Sequence, residues 1–196
     1  EVEKIIINAN LTEEEAFAAE ASLINAFNYV SDVGLTNIVA GHHSSEALTV
    51  DEYERINGAV ELEEKDIKHR ILVIKINRLY HIDMDEKLLY DVVRGVWRVS
   101  KEKVKTMEYV FGVYNSLIVA VYKPSEWFVC KEAKDRLPRQ DIVLTPKTEN
   151  RLFFVDERYE HGFPLDENEE FYIGKSIARL KLNQSAQNPI TYLNSR

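Results

Sequence analysis

One acidic residue in this sequence stands among apolar neighbours at helical spacing. Glu20 is flanked, three and four residues away, by Ala16, Phe17, Leu23 and Ile24, so a helix here would carry the carboxylate on its apolar face. A buried carboxylate is costly unless it is paired, hydrogen-bonded or bound to a metal ion. Two interpretations follow: a structural carboxylate satisfied by a backbone amide or an arginine, or a ligand of a divalent metal.

Aromatic and basic residues form a second candidate group. Arg94, Trp97 and Arg98 lie where a helix is expected to end and a strand to begin, and Trp127 follows a predicted hairpin. Aromatic rings beside arginines can stack on a base and hold its phosphate, and a protein that reads a flipped base needs such a pocket. The alternative is structural: both tryptophans belong to the core, and Arg94 pairs with Asp91 or with a helix-terminal carbonyl.

The stretch "EFYIGKSIARL", residues 170–180, shares Tyr-Ile-Gly with a nuclease motif and Gly-Lys-Ser with a phosphate-binding loop. A phosphate-binding loop would need a glycine at position 169, where Glu169 stands and would repel phosphate. We therefore predict a strand and a turn here. Lys175 in this stretch and Asn188 in the later stretch "NPITYLN" complete the set of residues expected to contact nucleic acid.

The elements that must position these residues follow from periodicity and capping. Thr12 and Glu15 form a capping box that predicts a helix from about residue 13, preceded by a short buried strand in "EKIIINA". The charged stretch "AVELEEKDIKH" has little periodicity and is interpreted as a linker, with a domain boundary near residue 66. After it we expect the strand "RILVIKIN" and a helix that is capped by Asp83 and ended by Gly95.

The C-terminal part is predicted to be rich in strands. Ser100 should cap a short helix, and "EYVFGVYNSLIVAVY" should form a hairpin that turns at Asn115 and Ser116 and is extended by "EWFVC". Two further strands are expected in "RLFFVDE" and "EFYIGKS", and Pro189 starts an edge strand.

Composition restricts the class of protein. The chain has 196 residues, is 45% hydrophobic and has a net charge of −8, which allows one domain, or one domain and a piece of another, and argues against extensive non-specific binding of nucleic acid. The sequence has no membrane-length apolar run and no signal-peptide pattern, and its single cysteine is Cys130, so we expect a cytoplasmic location. A first residue that is Glu, directly before an apolar strand, indicates a fragment of a longer chain.

The segments Glu20-Ala21-Ser22-Leu23-Ile24 and Leu35-Thr36-Asn37 resemble part of a known nuclease family. Residues 3–44 are similar to the C-terminal third of a GIY-YIG endonuclease domain, of the bacterial subgroup related to animal nucleases that carry an LEM domain. The resemblance implies that Glu20 is the catalytic, metal-binding glutamate, with Mg²⁺ or another divalent metal as the cofactor of the intact nuclease. The family's tyrosine motifs and catalytic arginine would lie upstream of residue 1, so this chain alone is expected not to cut DNA.

Residues 70–194 resemble a module found behind bacterial nuclease domains of more than one kind. The shared features are Arg-Gly-Val-Trp-Arg at 94–98 after a helix, alternating strands, and the closing "NPITYLN". The resemblance implies a PUA-like pseudo-barrel, a fold that often binds RNA or modified DNA, although a fold alone does not establish a function.

We therefore predict an α+β chain in two domains. Residues 1–65 form a small strand-helix remnant of a GIY-YIG domain, and residues 66–196 form a mixed β pseudo-barrel (PUA-like) with short helices. The expected function is that of a nuclease fragment whose C-terminal module recognises DNA or another nucleic acid. Two alternatives stay open: a non-catalytic binding module or homodimerisation module, and a permuted or dimer-completed nuclease in which Tyr172 and Arg179 supply the missing half.

Overall fold

The computed structural model describes residues 10–30, 50–139, 141–180, 182 and 188–194. The chain divides into two compact units, Glu1–Tyr53 and Glu54–Arg196. The described part contains both helices and strands, which confirms the α+β class. No helix in it is both long and apolar enough to cross a membrane. The strand predicted in "EKIIINA" and the Leu35-Thr36-Asn37 segment lie outside the described residues.

The first unit contains helix α1, Glu13–Val30, which begins where the capping box predicts. Thr12 N donates to Glu15 Oε2 at 2.9 Å, and Glu15 N donates to Thr12 Oγ1 at 3.3 Å. Each side chain thus satisfies a backbone donor that the first turn of a helix leaves open. The buried stripe of α1 runs through Ala21 and Ile24.

The remaining described elements are short helices and strands. In chain order they are α2 (Val50–Asn57), β1 (Ile71–Lys75), α3 (Glu86–Arg94), α4 (Lys101–Val104), β2 (Tyr109–Tyr114), β3 (Leu117–Tyr122), β4 (Glu126–Val129), β5 (Leu152–Val155), α5 (Glu157–Glu160), α6 (Glu167–Tyr172) and β6 (Ile190–Leu193).

Two sheets organise the second unit. Four strands form a mixed sheet in the order β3-β2-β1-β6, in which β1 and β2 are parallel and the other pairs are antiparallel. Strands β4 and β5 form a separate antiparallel pair. Neither sheet is closed in the described chain, so the PUA-like pseudo-barrel is not confirmed.

The β2–β3 hairpin turns at Asn115 and Ser116, as predicted. Their φ angles are 45° and 68°, in the left-handed region that a two-residue type I′ turn requires. Every residue of β2 is buried, because both faces of the sheet are covered. On one face Phe111 packs with Tyr172 at the end of α6, and on the other Gly112 lies against Val93 of α3.

The charged stretch interpreted as a linker packs on the second unit instead. Leu62 is only 1% exposed and belongs to the core cluster that contains Ile71 and Tyr172. Leu62 N donates to Ser176 O at 2.8 Å. The linker prediction was wrong because the partner of this isolated leucine lies far along the chain, where sequence periodicity gives no sign of it.

The stretch "EFYIGKS", predicted as a strand, begins inside helix α6. Glu169 Oε2 accepts from Asp166 N at 2.8 Å, and Asp166 Oδ1 accepts from Glu169 N at 2.9 Å. This capping box fixes the start of the helix. Beyond α6 the chain turns at Gly174, whose φ is 76°.

Two further local predictions need correction. Helix α3 is capped by Asp85, not Asp83, because Asp85 Oδ1 accepts from Leu88 N at 2.7 Å; Gly95 ends the helix as predicted. Strand β4 does not extend the hairpin, since Pro124, which lacks a backbone donor, precedes it and Ser125 N donates instead to Val155 O at 2.8 Å.

Candidate functional site

Trp97 and Trp127 lie on one face of the small sheet, on either side of β5. Trp97 N donates to Leu152 O at 2.8 Å, and Leu152 N donates to Trp97 O at 3.0 Å. Trp127 lies opposite Phe154 in the register of β4 and β5. Residues opposite each other in neighbouring strands share a face, as do residues two apart in one strand. The fold therefore brings together two tryptophans that are distant in sequence.

Both tryptophans are partly buried. Trp97 Nε1 donates to Val93 O at 2.8 Å, which anchors the ring to the end of α3. The Trp127 ring lies 5.2 Å from that of Phe154, between centroids. Trp127 Nε1 is buried and finds no hydrogen-bond acceptor within the described chain. Each tryptophan is thus held by the module and is neither fully buried nor fully exposed.

Arg94, predicted to contact nucleic acid, is engaged inside the module. Its Nε lies 2.8 Å from Asp91 Oδ1 and its Nη1 lies 3.6 Å from Glu160 Oε1. The guanidinium carbon is 4.9 Å from the centroid of the Tyr90 ring. Only 13% of the side chain is exposed. The pairing with Asp91 that the structural alternative predicted is therefore present, because α3 places the two side chains one turn apart.

Basic residues meet at one end of the small sheet. Because the chain through Trp97 runs antiparallel to β5, Arg98 lies at the same end as Arg151. Cys130 N donates to Arg151 O at 3.0 Å. Segment 131–139, which follows Cys130 directly, therefore starts at this same end of the sheet. Arg98 is exposed and Arg151 is partly exposed.

Segment 98–105 extends this positive charge to the edge strand β6. Ser100 N donates to the Tyr192 hydroxyl at 3.1 Å, and Lys103 Nζ lies 5.2 Å from the centroid of the Tyr192 ring. Segments 98–105 and 131–139 each contain four basic residues, against one and two acidic residues respectively. We call these two segments, together with Arg151, the basic strip.

Lys175 and Asn188 are attached to other elements. Lys175 Nζ lies 3.2 Å from the centroid of the Phe171 ring, and Lys175 O accepts from Ile118 N at 2.9 Å. Asn188 is exposed, and its Oδ1 accepts from Ile190 N at 3.1 Å at the start of β6. The structure therefore does not join these two residues to the basic strip.

The described residues of the second unit line cavities that include three with volumes of about 570, 550 and 200 Å³. None is lined by any of the six residues predicted to contact nucleic acid. These cavities therefore do not provide the pocket for a flipped base that the sequence suggested beside Trp97.

Glu20 is exposed rather than buried. Its neighbour Leu23 is also 38% exposed, whereas Ala21 and Ile24 are covered. The buried stripe is narrower than the run of apolar letters indicated, so it passes beside Glu20. Among the described residues no three histidine, cysteine or acidic side chains are grouped so as to hold a metal ion. A divalent cation needs several ligands, so the described surroundings of Glu20 do not by themselves fit the predicted Mg²⁺ site.

Tyr172 and Arg179, the candidates for a permuted nuclease, are both engaged in the fold. Tyr172 is 1% exposed. Its hydroxyl donates to Asp66 O at 3.2 Å and lies 3.0 Å from His69 Nδ1. Arg179 forms an ion pair with Glu61 at the lining of the 570 Å³ cavity. A hydroxyl that is buried and hydrogen-bonded in this way cannot reach a substrate.

A network of buried charges was missed in the sequence. Arg158 Nη2 donates to Asp156 Oδ2 at 3.3 Å and to Glu169 Oε1, while its Nη1 donates to Phe163 O at 3.2 Å and Pro164 O at 2.9 Å. Both carboxylates are fully buried. Burial raises the pKa of Glu169, against the opposing effects of the α6 N-cap amide and the Arg158 charge. A signal for this network was present in the acidic stretch that follows α5, where Asp166 and Glu169 have capping-box spacing.

Comparison of the chain with protein-family models, with curated proteins and with solved structures found no significant match.

Proposed function

We propose that residues 54–196 bind nucleic acid through the basic strip, with the two tryptophans beside it. The observation that carries the proposal is the two-way hydrogen bonding between Trp97 and Leu152. It joins basic segments that are distant in sequence, and Trp97, which is partly buried, directly precedes Arg98 in one of them. Lysine and arginine neutralise phosphates, and aromatic rings stack on unpaired bases. Single-stranded DNA is therefore the favoured ligand.

The net charge of −8 is compatible with this interface. Interactions between exposed charges are largely screened beyond about 10 Å at 0.1 M salt. A phosphate at the strip thus responds mainly to nearby lysines and arginines, such as Arg98 and Arg136, which are exposed.

The proposal is tested by fluorescence anisotropy of a labelled oligonucleotide, single-stranded or annealed to its complement. The double substitution Arg98→Ala with Arg136→Ala should weaken binding by about tenfold, which is ~1.4 kcal/mol. Trp97→Leu should weaken single-strand binding by about 1–3 kcal/mol per lost stacking contact, with a smaller effect on duplex.

The matched control is Lys87→Ala, which removes one positive charge from an exposed position of α3. It should leave the affinity unchanged. Equal weakening by Lys87→Ala and by Arg98→Ala would show that only the overall charge matters, and absence of binding at low salt would refute the proposal.

We further propose that the first unit derives from a GIY-YIG nuclease domain, as the residues around Glu20 resemble that family. Glu20 lies on helix α1 of this unit, and its side chain is exposed. The chain alone should not nick supercoiled plasmid DNA when Mg²⁺ is added, because the described residues contain no group of three or more side chains that could hold the metal ion. Nicking that is abolished by Glu20→Ala would contradict this expectation.

A further inference from the structure

A groove of about 550 Å³ lies between β3, α3, α5 and the loop after α5. Its volume falls within the range of about 300–1,000 Å³ that is usual for binding sites. Val121 and Tyr122 of β3 and Leu89 of α3 are among the residues that line it. The groove is distinct from the basic strip, with which it shares no residue.

Apolar side chains stand exposed along the rim of this groove. Phe163 is 63% exposed, and Leu165 and Ile173 are each 39% exposed. All three line the groove. Single apolar residues on a surface are ordinary, but a contiguous group around a concave site marks a place where another molecule binds.

The surroundings of the groove are strongly acidic. Glu86 and Glu160 line it. Segment 156–170 contains seven acidic residues and a single arginine, and four of the seven, Glu157, Glu160, Glu167 and Glu170, are exposed. That arginine, Arg158, is already engaged with two buried carboxylates and two carbonyl oxygens. Tyr159, also in the groove, has a raised pKa because it is buried and because acidic residues of α3 lie near its hydroxyl.

We infer that the groove binds a basic amphipathic segment of a partner protein, with apolar side chains in the groove and lysines or arginines over the acidic rim. Charge complementarity selects this occupant. Nucleic acid and anionic lipid surfaces carry negative charge, and the rim would repel both. An amphipathic helix laid into an apolar groove is a recurrent mode of peptide recognition.

The probe for this inference is a synthetic amphipathic helix composed of leucine and lysine, titrated into the full chain and followed by isothermal calorimetry. Two control peptides separate the contributions. In one, glutamate replaces every lysine; in the other, the same residues are scrambled so that no apolar face remains. We expect binding of the first peptide only.

Substitutions then locate the site. Phe163→Ser should weaken binding of the leucine–lysine peptide by about tenfold, since it removes a large apolar side chain that the peptide would bury. Glu86→Gln should weaken it by a smaller factor that shrinks as salt is added. The matched controls are Val143→Ser, at a 74% exposed valine outside the groove, and Glu132→Gln, at an exposed glutamate of the basic strip.

Three results would overturn the inference. They are equal affinity for the scrambled peptide, equal effects of Phe163→Ser and Val143→Ser, and self-association of the full chain that Phe163→Ser abolishes. The last result would identify a second copy of this chain as the occupant of the groove. Because the groove and the basic strip share no residue, failure here leaves the nucleic-acid assay unaffected.

Discussion

At the scale of single residues, the carboxylate that the structure buries is not the one that the sequence singled out. Glu20 is exposed, whereas Asp156 and Glu169 are fully buried around Arg158. Each buried oxygen accepts hydrogen bonds from backbone amides or from the guanidinium. Such a network is costly to break, because removal of one partner leaves a buried charge uncompensated.

Asp166, the N-cap of α6, gives a pH-dependent prediction. Burial would raise its pKa, but hydrogen bonds from Glu169 N, the Tyr109 hydroxyl and Lys123 Nζ outweigh this effect and lower it from 3.8. A lowered folded-state pKa stabilises the fold above pH 3.8, and this stabilisation is lost as the pH falls through the folded-state value. Asp166→Asn keeps a capping oxygen but removes the charge.

We therefore expect Asp166→Asn to lower the free energy of unfolding at neutral pH by about 1 kcal/mol. The difference from the wild-type chain should vanish in acid, where Asp166 itself is protonated. Urea denaturation at a series of pH values measures this. A difference that stays constant from neutral to acidic pH would show that the charge of Asp166 is unimportant.

Tyr172 provides a test of a structural role against a catalytic one. Its hydroxyl accepts from Lys68 N at 3.4 Å and donates to Asp66 O at 3.2 Å. Tyr172→Phe leaves these backbone groups without that partner, so the free energy of unfolding should fall by about 1–2 kcal/mol. Tyr80→Phe, at a partly buried tyrosine that packs on Tyr114, is the control and should have a smaller effect in the same denaturation experiment.

At the scale of elements, the contact between α3 and the central sheet depends on a glycine. A Cβ added to Gly112 of β2 would lie 2.6 Å from Val93 Cγ2 and 3.3 Å from Ala120 Cβ. Only a residue without a side chain lets the helix approach this closely. The same approach positions the end of α3, and with it the Val93 carbonyl that anchors the Trp97 ring.

Gly112→Ala should therefore lower the free energy of unfolding by about 1–3 kcal/mol through overpacking. Val93→Ala alone leaves a cavity and is also expected to destabilise. In the double variant the new methyl group occupies the space that the valine vacates. The double variant should thus be less destabilised than the sum of the two single variants, as measured in a thermodynamic cycle by chemical denaturation. Strict additivity would contradict the close contact.

At the scale of the whole second unit, charge is segregated between two surfaces. The basic strip draws on segments 98–105, 131–139 and Arg151, whereas the apolar groove is bordered by acidic residues of α3 and of segment 156–170. Surfaces of opposite charge suit partners of opposite charge. One unit could in this way hold a nucleic acid at the strip and a basic protein segment at the groove.

The salt dependence of nucleic-acid binding tests this separation. Arg98→Ala should reduce the slope of log affinity against log salt by about one, as expected for one lost phosphate contact. Glu86→Gln, in the groove, should leave the slope unchanged. Anisotropy titrations at several salt concentrations measure both slopes. An equal change for the two variants would show that no distinct strip exists.

Local signals in the sequence determined much of the secondary structure. The capping box at Thr12 and Glu15, the turn at Asn115 and Ser116, and the helix stop at Gly95 lie within a few residues of what they control. Such short-range signals can be recognised in the sequence without knowledge of the tertiary structure. The same rule could have found α6, whose capping box of Asp166 and Glu169 stands just where the strand "EFYIGKS" was predicted to begin.

The tertiary structure alone decided the contacts between distant segments. The sequence alone does not show the backbone hydrogen bonds of Leu62 with Ser176 and of Trp97 with Leu152. Nor does it show that Arg94 forms an ion pair with Glu160 as well as with Asp91. These pairings depend on strand order and on which face each element covers. Periodicity shows only that a helix or strand has an apolar face, not what packs against it. For the same reason the apolar neighbours of Glu20 predicted its burial, whereas the buried stripe of α1 passes beside it.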